Sequence, residues 1–61
     1  MIRHDITLNG SLIGEGMGIL DTEAKAQIIS LRTYPGRLIR VMDGSGLDII
    51  AEFRNGERIA A

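Results

Sequence analysis

The sequence of 61 residues contains no cysteine, no tryptophan, one proline and only two aromatic side chains, Tyr34 and Phe53. Without cysteine, neither disulfides nor thiolate metal sites can stabilise the fold. A chain of this length buries only about 60% of the surface that it exposes when unfolded. We therefore expect residues 1–61 to form a single small domain with a thin margin of stability.

An excess of either charge and a long hydrophobic run are also missing. Seven Lys and Arg residues face eight Asp and Glu residues, which gives a net charge of −1, unlike the basic balance of a dedicated nucleic-acid binder. No apolar run approaches the ~18–20 residues of a membrane span, and residues 1–5 lack the apolar core of a signal peptide. We expect no membrane contact and a location in the cytoplasm, or in a virion or assembly made there.

Tight turns divide the rest of the chain into short apolar runs. Asn9-Gly10 and Asn55-Gly56 each have the composition of a type I′ hairpin turn. Tyr34-Pro35-Gly36-Arg37 has the signature of a type II turn, and residues 43–46 indicate another turn. The runs between them predict an all-β fold, a small antiparallel barrel or curled meander of five or six short strands.

The segment from Asp21 to Arg32 allows two interpretations. Gln27–Thr33 is rich in β-branched residues and favours a strand, which suits a meander and is the preferred interpretation. In the alternative, Ala24, Ile28 and Leu31 follow the i, i+4, i+7 spacing of a helix. That alternative is an α+β fold in which two hairpins flank a helix at about residues 22–32.

The first hairpin sets a register for the strands around it. A two-residue loop at Asn9-Gly10 places His4 opposite Glu15. Gly14, Gly16 and Gly18 then lie on one side of the second strand. We interpret this bare side as a site of bending or of close packing against another element.

Catalytic and metal-binding chemistry finds little support in the sequence. His4 is the only histidine, and its neighbour Asp5 points to the opposite face of a strand. No cysteine or second histidine is present to build a nucleophilic site around a serine. Residues 14–18 do not match a phosphate-binding loop, and residues 43–48 lack the spacing of a calcium loop. We predict no enzyme activity, no metal and no cofactor.

Apolar residues on a second sheet face give the strongest functional indication. A 61-residue chain lacks the material to cover both faces of its sheet, and exposed apolar area marks an interface. We predict a protein-interaction or assembly module that acts as an obligate homo-oligomer or docks on a larger protein. Small accessory proteins of viruses and mobile elements are often built in this way. The predicted interface residues are Leu12, Leu20, Ile39, Val41 and Ile50.

Single-stranded nucleic-acid binding is the alternative function. Arg32, Arg37 and Arg40 flank the turn that contains Tyr34, whose ring is available to stack on a base. Small β-barrels often carry nucleic acid on a curved face. The shortage of aromatic residues makes protein contact the preferred hypothesis.

Overall fold

The computed structural model describes residues 2–45 and 48–60. Within these residues, antiparallel strands form one open sheet, and a helix covers one of its faces. This helix, α1 at Ile19–Ile28, continues directly into a π-helical turn at Ile29–Thr33. The regular elements are β1 Arg3–Leu8, β2 Ser11–Met17, α1 Ile19–Ile28, β3 Ile39–Met42, β4 Ile49–Arg54 and β5 Glu57–Ala60.

The order of the strands explains why the chain needs a helix between β2 and β3. The sheet runs β2-β1-β3-β4-β5, and β2 and β3 both pair with β1 in the antiparallel sense. These two strands are therefore parallel to each other and lie on opposite sides of β1. A connection of that kind has to cross the sheet, and a helix is its usual form.

This topology settles the two interpretations of the segment at 21–32. The strand that we preferred at Gln27–Thr33 is wrong, because these residues lie in α1 and in the π-helical turn. The helix agrees with the α+β alternative. The predicted sheet of short antiparallel strands is confirmed, and it is open rather than closed into a barrel.

Both predicted Asn-Gly turns are confirmed by their backbone angles. Asn9 and Gly10 have φ values of 51° and 81°, and Asn55 and Gly56 have values of 52° and 80°, as a type I′ turn requires. The Tyr34–Arg37 turn is also confirmed, since the Arg37 N–H donates to the Tyr34 carbonyl at 3.2 Å. It connects the π-helical turn, rather than a strand, to β3.

A bulge changes the predicted register of the first hairpin. Next to the turn, the strand pairing follows the prediction. Farther from the turn the pairing is shifted by one residue, so that Ile6 lies opposite Gly14. His4 consequently faces Gly16, so the predicted contact between His4 and Glu15 is wrong. One inserted residue in a strand shifts everything beyond it by one position, and here the shift brings the glycines onto the face covered by the helix.

The core lies between this glycine-bearing face and α1. Its fully or almost fully buried hydrophobic residues in the described chain are Ile6, Ala26, Ile39, Val41, Ala51 and Phe53. The helix contributes a row of small residues at i, i+4 and i+8, Thr22, Ala26 and Ser30, all fully buried. Small residues on both sides bring the helix axis close to the sheet.

Hydrogen bonds hold the hairpin of β4 and β5 against the helix. The Gln27 side-chain amide donates to the Gly56 carbonyl at 2.9 Å, and the Gly56 N–H donates to the Ser30 hydroxyl at 2.9 Å. Arg58 donates two hydrogen bonds to the Glu23 carboxylate, at 2.9 and 3.1 Å. These contacts fix which side of α1 faces the sheet and therefore which side faces solvent.

Candidate interaction surface

The solvent-facing side of α1 carries a row of apolar residues. Leu20, Ala24, Ile28 and Leu31 are all exposed, and the exposed fractions of the three larger residues are 84%, 56% and 53%. Spacings of four, four and three residues place them on one face of a helix. We call these four residues the outer stripe. It lies opposite the buried row of Thr22, Ala26 and Ser30.

Charged residues line one edge of the outer stripe. Asp21 and Lys25 lie on this edge, four residues apart in α1. Lys25 and Asp21 form an ion pair at 3.2 Å, and the Met17 N–H donates to the same carboxylate at 3.2 Å. The hydrogen bonds from Lys25 and then from Met17 hold the pKa of Asp21 below its ordinary value of 3.8.

The other edge of the stripe is already engaged within the chain. Glu23 is paired with Arg58 at 2.9 Å, and Gln27 is hydrogen-bonded to the second hairpin. Arg58 also lies over the Phe53 ring, 5.9 Å from its centroid. The outer stripe is therefore an apolar surface between two charged edges. On the edge of Glu23 the charge is neutralised by Arg58, and the edge of Asp21 and Lys25 carries both signs of charge.

The predicted interface residues do not form one surface. Ile39 and Val41 are fully buried under α1, so their assignment to an exposed second face is corrected. The alternation of β3 points them toward the helix and Arg40 away from it. Ile50 is half-buried and packs against the same core. Only Leu12, on β2, and Leu20, on α1, expose most of their surface.

The predicted interface omits three residues of the outer stripe, although the sequence contains a spacing that indicates them. Ala24, Ile28 and Leu31 have the helical spacing noted in the sequence. Such a row normally faces the core, whereas here it faces solvent because the core side of α1 uses small residues. Thr22 and Ser30 are polar and fully buried, so a hydrophobicity pattern does not mark that side as the inner one.

The open face of the sheet carries a shallow groove with charged walls. Its volume is about 250 Å³, and it is lined by Asp5, Thr7, Gly10, Leu12, Arg40 and Met42. Arg3 lies 3.3 Å from Asp5 and 3.5 Å from Glu15, and Arg40 lies 2.7 Å from Glu52. Charges that neutralise one another along neighbouring strands are typical of a solvated sheet face.

The residues predicted for nucleic-acid contact are divided between two sides of the molecule. Arg40 lies on the open sheet face, where its Nε donates to Glu52 at 2.7 Å. Arg32 and Arg37 are exposed near the end of the helical segment. Tyr34 is half-buried and packs against the core. The structure therefore does not bring the three arginines together around one accessible aromatic ring.

The remaining polar candidates lie in ordinary structural settings. His4 is almost fully buried, with Nδ1 3.2 Å from the Ile2 carbonyl oxygen. Across residues 2–45 and 48–60, no group of three or more His, Cys, Asp or Glu side chains is placed to hold a metal ion. The Asp43 N–H donates to the Asp48 carbonyl at 3.0 Å, while the turn predicted at residues 43–46 lies partly outside the described residues, as do Gly46 and Leu47.

Comparison of the chain with protein families, with curated proteins and with solved structures finds no match. None of the helices in the described part of the chain has the length and apolar character needed to cross a membrane. The outer stripe is an apolar surface, whereas the open sheet face carries paired charges.

Proposed function

We propose that the protein is a non-catalytic assembly module that associates with a second copy of itself through the outer stripe. The observation that carries the proposal is the row of exposed apolar residues on the solvent side of α1, with Leu20 84% exposed. Full burial of one leucine or isoleucine side chain contributes about 1.5–3 kcal/mol. Association is the direct way for this chain to gain that contribution.

A second copy suits this surface better than a larger partner. Two identical surfaces meet in a symmetric dimer, so each residue of the stripe is used twice. The charged edge carries both signs, which allows it to face another copy of itself without net repulsion. A contact confined to one helix face about 20 Å long buries less area than the roughly 800 Å² per partner of a standard interface. We therefore propose a dissociation constant in the micromolar range.

The proposal is tested by sedimentation equilibrium from about 1 μM to about 1 mM protein, a range that spans weak and moderate dimers. Ile28→Glu places a charge within the apolar contact and is expected to weaken dimerisation at least about tenfold. The matched control is Ile59→Glu on β5, since Ile59 is 48% exposed and Ile28 is 56% exposed. The control is expected to sediment as the wild type does.

Two results would contradict the proposal. One is a wild-type chain that remains monomeric over the whole range. The other is a dimer that is weakened by Ile59→Glu and not by Ile28→Glu, which would move the contact to β5. Ile50→Asp is unsuitable for this test because Ile50 packs against the core, so its loss would destabilise the fold itself.

The nucleic-acid alternative has weaker support from the arrangement of residues. Arg40 is engaged with Glu52 on the open sheet face, away from Arg32. Charge-driven binding weakens steeply as salt rises. An oligonucleotide titration at low salt that detects such binding, lost on replacing Arg32 and Arg37, would favour this alternative over self-association.

A further inference from the structure

We propose that Asn9 is a site of spontaneous modification, at which the side-chain amide converts to a carboxylate, and that the fold protects Asn55 from the same reaction. Both asparagines of the chain precede a glycine. Such a pair is open to this reaction because glycine has no side chain to hinder attack by its own backbone nitrogen. The site is distinct from the outer stripe, so this proposal stands independently of self-association.

The reaction needs only water as a co-reactant. The backbone nitrogen of the glycine attacks the side-chain carbonyl carbon of the asparagine and closes a succinimide ring. The bond between that carbon and the side-chain nitrogen breaks, and the nitrogen leaves as ammonia with the proton of the attacking N–H. Water then opens the ring at one of its two carbonyl groups. The product is either aspartate or isoaspartate, in which the main chain runs through the former side chain.

The two hairpin turns share one backbone conformation. The φ values of the two asparagines are 51° and 52°, and those of the two glycines are 81° and 80°. The backbone therefore has to rearrange by the same amount in each turn before the nitrogen reaches the carbonyl carbon. A difference in rate between the folded turns comes from the contacts around them.

Hydrogen bonds hold both reacting groups of the second turn. The Gly56 N–H, whose nitrogen has to attack, donates to the Ser30 hydroxyl at 2.9 Å. The Asn55 Oδ1, on the carbon to be attacked, accepts from the Gly36 N–H at 2.7 Å. The Leu31 side chain also covers this glycine, since a β-carbon built on Gly56 would lie 3.2 Å from the Leu31 β-carbon. The reaction in this turn has to break these hydrogen bonds first.

The same two groups of the first turn make no such contacts. Across residues 2–45 and 48–60, neither the Asn9 side chain nor the Gly10 N–H is hydrogen-bonded. Both residues are exposed, and a β-carbon built on Gly10 would meet nothing within 4 Å. Loss of one or two hydrogen bonds corresponds to a factor of about five to thirty. We expect Asn9 to convert faster than Asn55 by a factor in that range.

The modification changes the charge of the chain and the first hairpin. A carboxylate at position 9 adds one negative charge to a net charge of −1. Aspartate before glycine also suits a type I′ turn, so this product keeps the hairpin. Isoaspartate lengthens the main chain between Leu8 and Ser11, which pair directly beside the turn. That product is expected to weaken the pairing of β1 and β2.

The test follows both asparagines of the wild-type chain during several days at mildly alkaline pH and body temperature. Mass spectrometry of proteolytic peptides measures conversion at each site, and chromatography separates aspartate from isoaspartate. A parallel incubation in urea unfolds the chain and removes the contacts of both turns. In the folded chain we expect conversion at Asn9 to exceed that at Asn55 by about fivefold to thirtyfold. In urea the two rates should approach each other.

Ser30→Ala tests the hydrogen bond that protects the second turn, since it removes the acceptor of the Gly56 N–H. Conversion at Asn55 is expected to rise about fivefold, while conversion at Asn9 stays unchanged. Thermal unfolding checks that the variant retains its fold. Gln27→Ala removes the hydrogen bond to the Gly56 carbonyl and is also expected to speed conversion at Asn55, which gives a second variant if Ser30→Ala folds poorly.

Four results would overturn the proposal. The first is a folded chain in which Asn55 converts as fast as Asn9 or faster. The second is a ratio of the two rates that is the same in urea, which would assign the difference to the flanking sequences. The third is a folded chain in which Asn9 stays unmodified while the unfolded chain converts. The fourth is a pair of well-folded variants, Ser30→Ala and Gln27→Ala, that leave the rate at Asn55 unchanged.

Discussion

At the scale of single residues, α1 packs closely against β2 at Gly16. A β-carbon built on Gly16 would lie 2.5 Å from the Thr22 hydroxyl and 3.0 Å from the Thr22 α-carbon. The second distance concerns backbone, which cannot rotate away. The glycine at position 16 is therefore explained by close approach of α1 to β2, which is one of the two structural explanations expected from the sequence.

Gly16→Ala is expected to destabilise the protein by about 1–3 kcal/mol, as overpacking of a tight contact does. Gly14→Ala is the matched control, because its added β-carbon would make only ordinary contacts, 3.5 Å from Ile6 and 3.6 Å from Ile29. The measurement is urea unfolding of the two variants and the wild type. Equal stability of the two variants would contradict the close approach of helix and strand.

At the scale of elements, the sequence predicts turns better than it predicts long-range register. Asn-Gly turns depend on local backbone angles, so both hairpins could be predicted with the pairing next to each turn. Bulges shift the register at Ile6/Thr7 and at Glu52/Phe53, and they depend on packing across the sheet. The helix could not be chosen over a strand, because its buried side is made of small and polar residues.

Two side chains of α1 also cover part of the free edge of β2. Asp21 accepts a hydrogen bond from the Met17 N–H at 3.2 Å. The Lys25 ammonium donates a hydrogen bond to the Glu15 carbonyl at 3.4 Å. Exposed N–H and carbonyl groups on an edge strand can pair with another chain. The two side chains therefore protect this end of β2 from edge-to-edge pairing.

The lowered pKa of Asp21 makes this contact dependent on pH. A carboxyl whose pKa is lower in the folded chain contributes stability above its unfolded pKa, and loses that contribution as pH falls through its folded pKa. Asp21→Asn is therefore expected to be less stable than the wild type near neutral pH. The difference should shrink as pH falls below the ordinary value of 3.8.

Urea unfolding of wild type and Asp21→Asn from about pH 7 to about pH 2 measures this difference. Glu57→Gln is the control, since no ion pair of Glu57 occurs among residues 2–45 and 48–60. Its stability relative to the wild type should vary less with pH. A difference for Asp21→Asn that stays constant down to the lowest pH would contradict the role of its charge.

At the scale of the whole molecule, the fold is as compact as that of an independent domain of the same size. Its accessible surface is 3819 Å², against about 3,900 Å² expected for a monomer of this mass. Its radius of gyration is 9.9 Å, against about 10.5 Å expected for this length. The sequence predicts exposed apolar surface on a second sheet face and places part of it at Ile39 and Val41, which the structure instead uses to complete the core.

Association should therefore add to the stability of a fold that already has its own core. A partner that binds only the folded state raises the midpoint of thermal unfolding as protein concentration rises. For a domain of this size, each ~1 kcal/mol raises that midpoint by about 4–8 °C. We expect calorimetry over about a hundredfold range of concentration to show a rise of several degrees for the wild type. Ile28→Glu should show little or none, while Ile59→Glu should behave as the wild type. A wild-type midpoint independent of concentration would mean that the outer stripe stays exposed to water at every concentration tested.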